Sequence, residues 1–150
     1  HMLTQIGYQT IGPDKINQLR HVRFLQTEIT IADLMQKHAK ILRPKFEAVY
    51  DVLEREFGGT NLATWTKPKG GYFISFDAPE GTSAAIVGMA KEAGAKFTPA
   101  GNTFPYGKDP KDSNIRIAPS LPDVAEIAAA TELLAICTKL AYVNKLLAAK

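Results

Sequence analysis

The feature that most constrains this chain is a long apolar stripe. Ile31, Leu34, Met35, Ile41, Leu42, Phe46, Val49, Tyr50, Leu53 and Phe57 follow one another in steps that hold to one face of a helix. A helix of that length with one greasy side cannot stand alone in water. It has to lie against a sheet or other helices. Thr30-x-x-Asp33 reads as a capping-box-like start. Pro44 lacks the amide that would bond Lys40, which predicts a kink there. Gly58-Gly59 supplies an easy left-handed stop.

The partner surface follows directly. Residues 61–66, with Leu62, Thr64 and Trp65, read as a strand, and Pro68-Lys69-Gly70-Gly71 as a turn. Tyr72, Ile74 and Phe76 then alternate with Phe73, Ser75 and Asp77, the period of a strand. The two strands form an antiparallel hairpin. Thr82 or Ser83 opens a shorter helix running to Ala93, and Gly94 ends it. Residues 95–98 read as a short strand. The stretch from Pro99 to Ser113 is too long and too rich in Gly and Pro for a simple turn, and loops of that kind carry function. In Asn114-Ile115-Arg116-Ile117-Ala118, the two isoleucines share one face, so Asn114 and Arg116 share the other. Ser120-Leu121-Pro122-Asp123 opens a last helix, with Val124, Ile127, Leu133, Leu134, Ile136, Cys137, Leu140, Val143 and Leu147 as its apolar residues and Lys145 and Lys150 near its end. The expected fold is α+β: a small, mostly antiparallel three-stranded sheet covered by helices.

Composition sets the outer limits. The 150 residues are 45% hydrophobic and 22% charged, which suits one globular domain and argues against disorder. The net charge of +3 is spread along the chain, so no basic patch calls for nucleic acid. Cys137 is the only cysteine, which excludes an internal disulfide and a multi-cysteine zinc site. No stretch approaches the roughly 20 apolar residues of a membrane span. The chain reads as soluble and cytoplasmic.

The amino terminus reads as cut. His1-Met2 looks like a cloning remnant, and residues 3–13 resemble neither a natural start nor a complete element. Asp14 falls where the first turn of a helix would begin. Ile16, Leu19, Val22 and either Phe24 or Leu25 give helical spacing over residues 15–26, a stripe whose partner lies partly outside this chain.

Few residues announce chemistry. There is no dinucleotide-binding glycine motif, phosphate-binding loop, nucleophile elbow or zinc-protease helix. His21 and His38 have no carboxylate in metal-ligand spacing, and His38 reads as a boundary residue. Arg20-His21-Val22-Arg23 lacks interleaved aromatics and reads as a solvated helix face or a domain contact. Cys137 reads as a small core residue. Arg116 is the most suggestive side chain. On a rigid strand its planar guanidinium either forks a carboxylate or sits on a solvated face, and Asn114 beside it offers a further donor. Gly70-Gly71 reads first as a hairpin turn, or else as a place of close backbone approach.

Three blocks carry a resemblance to a known family: Gln9-Thr10-Ile11-Gly12-Pro13-Asp14-Lys15 with Asn17-Gln18-Leu19-Arg20-His21; Lys67-Pro68-Lys69-Gly70-Gly71-Tyr72-Phe73-Ile74; and Thr98-Pro99-Ala100-Gly101-Asn102-Thr103-Phe104-Pro105 leading to Asn114-Ile115-Arg116-Ile117-Ala118-Pro119-Ser120. From Gln9 to Leu147 the chain resembles the carboxy-terminal part of fold-type I aminotransferases that use pyridoxal 5'-phosphate. The first block is similar to a bacterial subgroup of aspartate aminotransferases and to the aminotransferase-like MocR regulators.

The resemblance implies roles for particular residues. Arg116 would grip the substrate α-carboxylate, with Asn114, Gly70 and Gly71 near the substrate. Thr10 would approach the cofactor phosphate of a neighbouring subunit. It implies that residues 3–29 are the tail of a large domain with its linker, and that residues 30–150 are the small domain. The family's cofactor lysine, in a Ser-x-Ser-Lys-like motif, has no counterpart here, so no bound pyridoxal phosphate and no catalytic residue are expected in this chain. An amino acid and a 2-oxo acid would be the partners of the whole protein, which is expected to be a homo-oligomer. Two other readings stay open: the effector-binding half of a MocR-type regulator, and a free-standing interaction module.

Overall fold

The computed structural model describes residues 1–10 and 12–149, so the readings that involve Ile11 and Lys150 lie outside the described residues. In chain order the elements are α1 (Met2–Gln9), α2 (Lys15–Leu25), α3 (Glu28–Phe57), β1 (Thr64–Trp65), β2 (Ile74–Asp77), α4 (Ser83–Glu92), a 3-10 turn at Pro105–Gly107, β3 (Asn114–Ile117) and α5 (Val124–Ala148). The chain divides into two units, His1–Lys40 and Ile41–Lys150. Helix α3 continues through Pro44. The division falls at Lys40, whose carbonyl is the one that Pro44 has no amide to bond.

In the first unit, the segment that read as no complete element is helix α1, and it includes Met2. Asp14 lies one place outside the helix as its N-cap, and its carboxylate accepts the Asn17 N–H at 3.0 Å. Helix α3 starts one turn before the expected Thr30-x-x-Asp33 box. Thr27 and Thr30 cap each other reciprocally there: the Thr30 N–H reaches the Thr27 hydroxyl at 3.3 Å, and the Thr27 N–H reaches the Thr30 hydroxyl at 3.2 Å. Neither α1 nor α2 has a buried residue, and Leu3, Ile6, Tyr8, Ile16, Leu19, Val22 and Phe24 are all exposed. His38 is exposed too.

In the second unit, the three strands form one antiparallel sheet in the order β1-β2-β3. The register pairs Trp65 with Phe76, Phe76 with Ile115, and Ile74 with Ile117. Directly paired residues point to the same side, so these side chains make one apolar face. It is covered by Val49, Leu53 and Phe57 of α3, by Ile86 and Ala90 of α4, and by Leu134, Ala135, Cys137 and Ala141 of α5. Phe57 and Phe76 meet at its centre, with ring centroids 5.8 Å apart. The fold is α+β, and the hairpin and its neighbour strand lie in one sheet as the alternation required.

Four local expectations are corrected. Residues 95–98 form no strand. They leave α4 through Gly94, at φ +98°, with the Ala95 N–H bonded to the Ala90 carbonyl at 2.8 Å, and run irregularly into the loop. Thr82 is the N-cap residue of α4 but makes no side-chain cap bond. Its hydroxyl donates to the Pro79 carbonyl, and the cap comes from Asp112 instead. Helix α5 is capped by Asp123 rather than Ser120. The Asp123 carboxylate takes the Glu126 N–H at 2.8 Å, and the Glu126 carboxylate takes the Asp123 N–H at 3.2 Å. Finally, α5 buries Ile127, Thr131, Leu134, Ala135, Cys137, Thr138 and Ala141, while Ile136, Leu140, Val143 and Leu147 face outward. Among the described residues, no helix is long and apolar enough to cross a membrane.

Candidate functional site

The other face of the sheet is polar. The register sets Ser75 opposite Arg116 and Asp77 opposite Asn114, so these four side chains share it, with Thr64 at the β1 edge. Thr66 extends the pairing: its N–H donates to the Ser75 carbonyl at 2.9 Å, and its hydroxyl accepts the Ser75 N–H at 3.0 Å. Phe73, one place before β2, falls on this side by the same alternation. Thr66, Phe73, Ser75, Thr103, Phe104, Asn114 and Arg116 line an open groove of about 380 Å³. Arg116 is the only charged residue among them.

Arg116 is half-buried. Its Nε–H points to the Thr98 hydroxyl at 3.4 Å, and its guanidinium carbon lies 4.4 Å from the centroid of the Phe73 ring. It pairs with no carboxylate among the described residues. A guanidinium drawn partly out of water normally finds an anion, because the solvation it gives up must be replaced. Here the cation is placed and its counter-charge is open.

Asn114 has a different part. Its amide nitrogen donates to the Ser75 hydroxyl at 2.8 Å and to Asp77 Oδ1 at 2.7 Å. Both amide hydrogens are spent inside the sheet, so in this arrangement Asn114 braces β3 against β2 and offers only its carbonyl oxygen to a ligand. Gly70 and Gly71 lie in the turn before β2, outside the groove lining, with nothing within 4 Å of a Cβ placed on either. Gly71, at φ +92°, needs the left-handed region for the turn itself. Thr10 lies in the first unit, exposed at the end of α1, with its hydroxyl donating to the Gly12 carbonyl at 3.0 Å.

Two carboxylates fix the loop that leads into β3. Asp109 accepts backbone N–H bonds from Lys111 at 2.9 Å and from Ser113 and Asn114 at 2.8 Å. Partial desolvation pushes its carboxyl up, but these donors outweigh it and hold the carboxyl below its ordinary range. Asp112 binds the start of α4. At the other end of the loop, Gly101 is buried at φ +83°, where a Cβ would run into the Gly107 backbone. The loop thus presents Thr103 and Phe104 to the groove from a fixed frame. A second cavity of about 590 Å³ also borders Arg116 and is lined by residues 93–98 and the first turns of α5.

Sequence reasoning found Arg116 through strand alternation. It gave no role to Asp109, or to Thr98 and Asp112, whose partners are distant in the chain. Phe73 carried a usable signal, since it alternates in phase with Ser75 and Asp77.

The sequence matches the family described as aspartate amino-transferase over residues 2–150. It is 46% identical over 148 residues to a protein of Mycolicibacterium smegmatis that bears an aminotransferase name, covering 99% of this chain and 35% of that protein. It is 43% identical over 135 residues to an aspartate aminotransferase of Corynebacterium glutamicum, covering 90% and 31%. The crystal structure of an aspartate transaminase from Corynebacterium glutamicum is similar with a TM-score of 0.84 at 42% identity, over 92% of this chain and 32% of that one. The chain therefore spans about a third of the length of the curated relatives it matches.

Proposed function

The chain belongs to the aspartate amino-transferase family, and from that premise we propose that it forms the substrate-carboxylate side of an aminotransferase active site. The whole protein, on this reading, moves an amino group from an amino acid to a 2-oxo acid. The observation that carries it is Arg116: a half-buried guanidinium on a rigid strand, open to a groove and without an anion. Its planar fork suits the one group that every amino donor and every oxo-acid acceptor share, the carboxylate next to the reacting carbon. Phe73 and Phe104 give the groove apolar walls, which reduce the water around that pair and so strengthen it.

Pyridoxal phosphate, when bound to an aminotransferase, supplies the electron sink that makes the amino acid's α-carbon reactive. The groove around Arg116 holds no lysine or carboxylate among its lining residues. It fits the substrate's carboxylate rather than the cofactor. Thr10 is the one residue here proposed to face a cofactor phosphate, across a subunit boundary in a homo-oligomer. This chain alone is accordingly proposed to be inactive.

The test is made in the full-length protein. Arg116→Lys keeps the charge and loses the fork, which should weaken transition-state binding of an amino acid by ~1.5–3 kcal/mol, with less effect on the matching decarboxylated amine. An equal loss for both would overturn the role of Arg116. Amino-acid binding without turnover in the wild-type protein would favour the effector-binding half of a MocR-type regulator. For the 150-residue chain, incubation with pyridoxal phosphate, borohydride reduction and peptide mapping should label no single lysine stoichiometrically.

A further inference from the structure

A strand fixes where Arg116 begins but not where its charged end points, because the side chain has several rotatable bonds between them. Two contacts settle the end. The Thr98 hydroxyl meets Nε–H at 3.4 Å and opposes rotation in the plane of the group. The Phe73 ring lies 4.4 Å from the guanidinium carbon and opposes tilting out of that plane. The two come from separate parts of the second unit, Thr98 from the irregular segment after α4 and Phe73 from the residue before β2.

A guanidinium offers a carboxylate two usable edges, one made by Nε and a terminal nitrogen, the other by the two terminal nitrogens. With Nε–H turned to Thr98, the first edge is half-used. We propose that Thr98 and Phe73 are positioning residues that act through Arg116, and that they leave the Nη1–Nη2 edge to receive the substrate carboxylate. The proposal rests on the reading of Arg116 as the carboxylate grip, and it assigns Thr98 a part that no sequence motif suggested. Thr98 also lines the larger of the two cavities that border Arg116.

Two measurements separate this inference from the functional reading beneath it. In the 15N-labelled 150-residue chain, the Arg116 Nε–H signal reports the clamp directly. Thr98→Val should speed its exchange with water several-fold, Thr98→Ser should leave it near wild type, and Phe73→Leu should remove its ring-current shift. Unchanged signals in both Thr98→Val and Phe73→Leu, with the backbone spectrum native, would overturn the clamp. In the full-length protein, Thr98→Val should raise KM for the amino acid about three- to tenfold with kcat little changed, the range of one hydrogen bond, and Thr98→Ser should restore it. A perturbed Nε–H with unmoved KM would overturn the positioning role. Failure of Arg116→Lys to affect amino-acid use would instead overturn the reading of Arg116. If Thr98→Val does not fold, Thr98→Ala, which also removes the hydroxyl, and Phe73→Leu carry the same comparison.

Discussion

Asp112 caps a helix that begins far upstream of it: Oδ1 accepts the Ala84 N–H at 2.9 Å and also takes the Ser83 hydroxyl. Its backbone carbonyl accepts the N–H groups of Thr82 and Ser83, both at 2.9 Å. The first turn of α4 and the loop entering β3 therefore hold each other. Removing an N-cap acceptor costs about 1–2 kcal/mol. Asp112→Ala should lower the urea midpoint accordingly. Asp112→Asn keeps an acceptor and tolerates the positive φ of 45°, so it should cost less. Equal losses from the two would show that the carboxamide cannot replace the cap.

Gly101 makes a sharper prediction, because its obstacle is backbone. At φ +83°, and with the Gly107 carbonyl where a Cβ would go, alanine has no room and no favourable conformation. Gly101→Ala should destabilise the second unit by about 2 kcal/mol or more, as strain of both kinds combines. Gly88→Ala is the control. It sits inside α4 with nothing within 4 Å of the added atom, and should be neutral or stabilising. Calorimetry of both variants checks the contrast.

Acid stability should run through Asp109. Its folded carboxyl lies below the ordinary value of 3.8, since backbone donors outweigh partial desolvation. A depressed pKa contributes stability above the unfolded value and loses it as pH falls through the folded one. Asp109→Asn should cost about 1–2 kcal/mol at neutral pH, less than its three bonds suggest because water still reaches the group. The gap from wild type should hold from pH 7 down to about 5 and shrink progressively as the pH falls below about 4. Urea melts across that range measure it, and a gap that failed to shrink as the pH fell below about 4 would contradict the assignment.

What was legible in the sequence was whatever periodicity alone decides. Ile115 and Ile117 against Asn114 and Arg116 is a two-sided pattern with one solution, and so is Ile74 and Phe76 against Ser75 and Asp77. Helix α5 is apolar nearly all round, so spacing could not say which side is buried. Packing chose the side with small residues, Ala135 and Ala141, together with Thr131 and Thr138. Those two hydroxyls donate to the carbonyls of Ile127 and Leu134 one turn back, which makes their burial cheap. At the site, the cation was visible but its supports were not. Thr98 and Asp112 act across the fold, and no local pattern marks a residue whose partner lies in another element.

The outward side of α5 and the first unit both leave apolar side chains exposed, and these bear on assembly. Ile136, Leu140, Val143 and Leu147 succeed one another in steps of four, three and four, one continuous stripe, and Ile136 and Leu147 are 62% and 61% exposed. Leu3, Ile6, Tyr8, Ile16, Leu19 and Val22 are all more than half exposed. Apolar surface on this scale is rarely left to water, since each Å² removed contributes about 25 cal/mol. The chain should therefore self-associate at high concentration through one of these surfaces. Light scattering on three forms assigns it: the intact chain, a chain beginning at Thr27, and the double variant Ile136→Glu with Leu140→Glu. The helical spacing of Ile16, Leu19 and Val22 points to the amino-terminal unit, so the chain beginning at Thr27 should be monomeric while the double variant still associates. The opposite pattern would transfer the interface to α5. A monomeric intact chain would refute assembly through either surface.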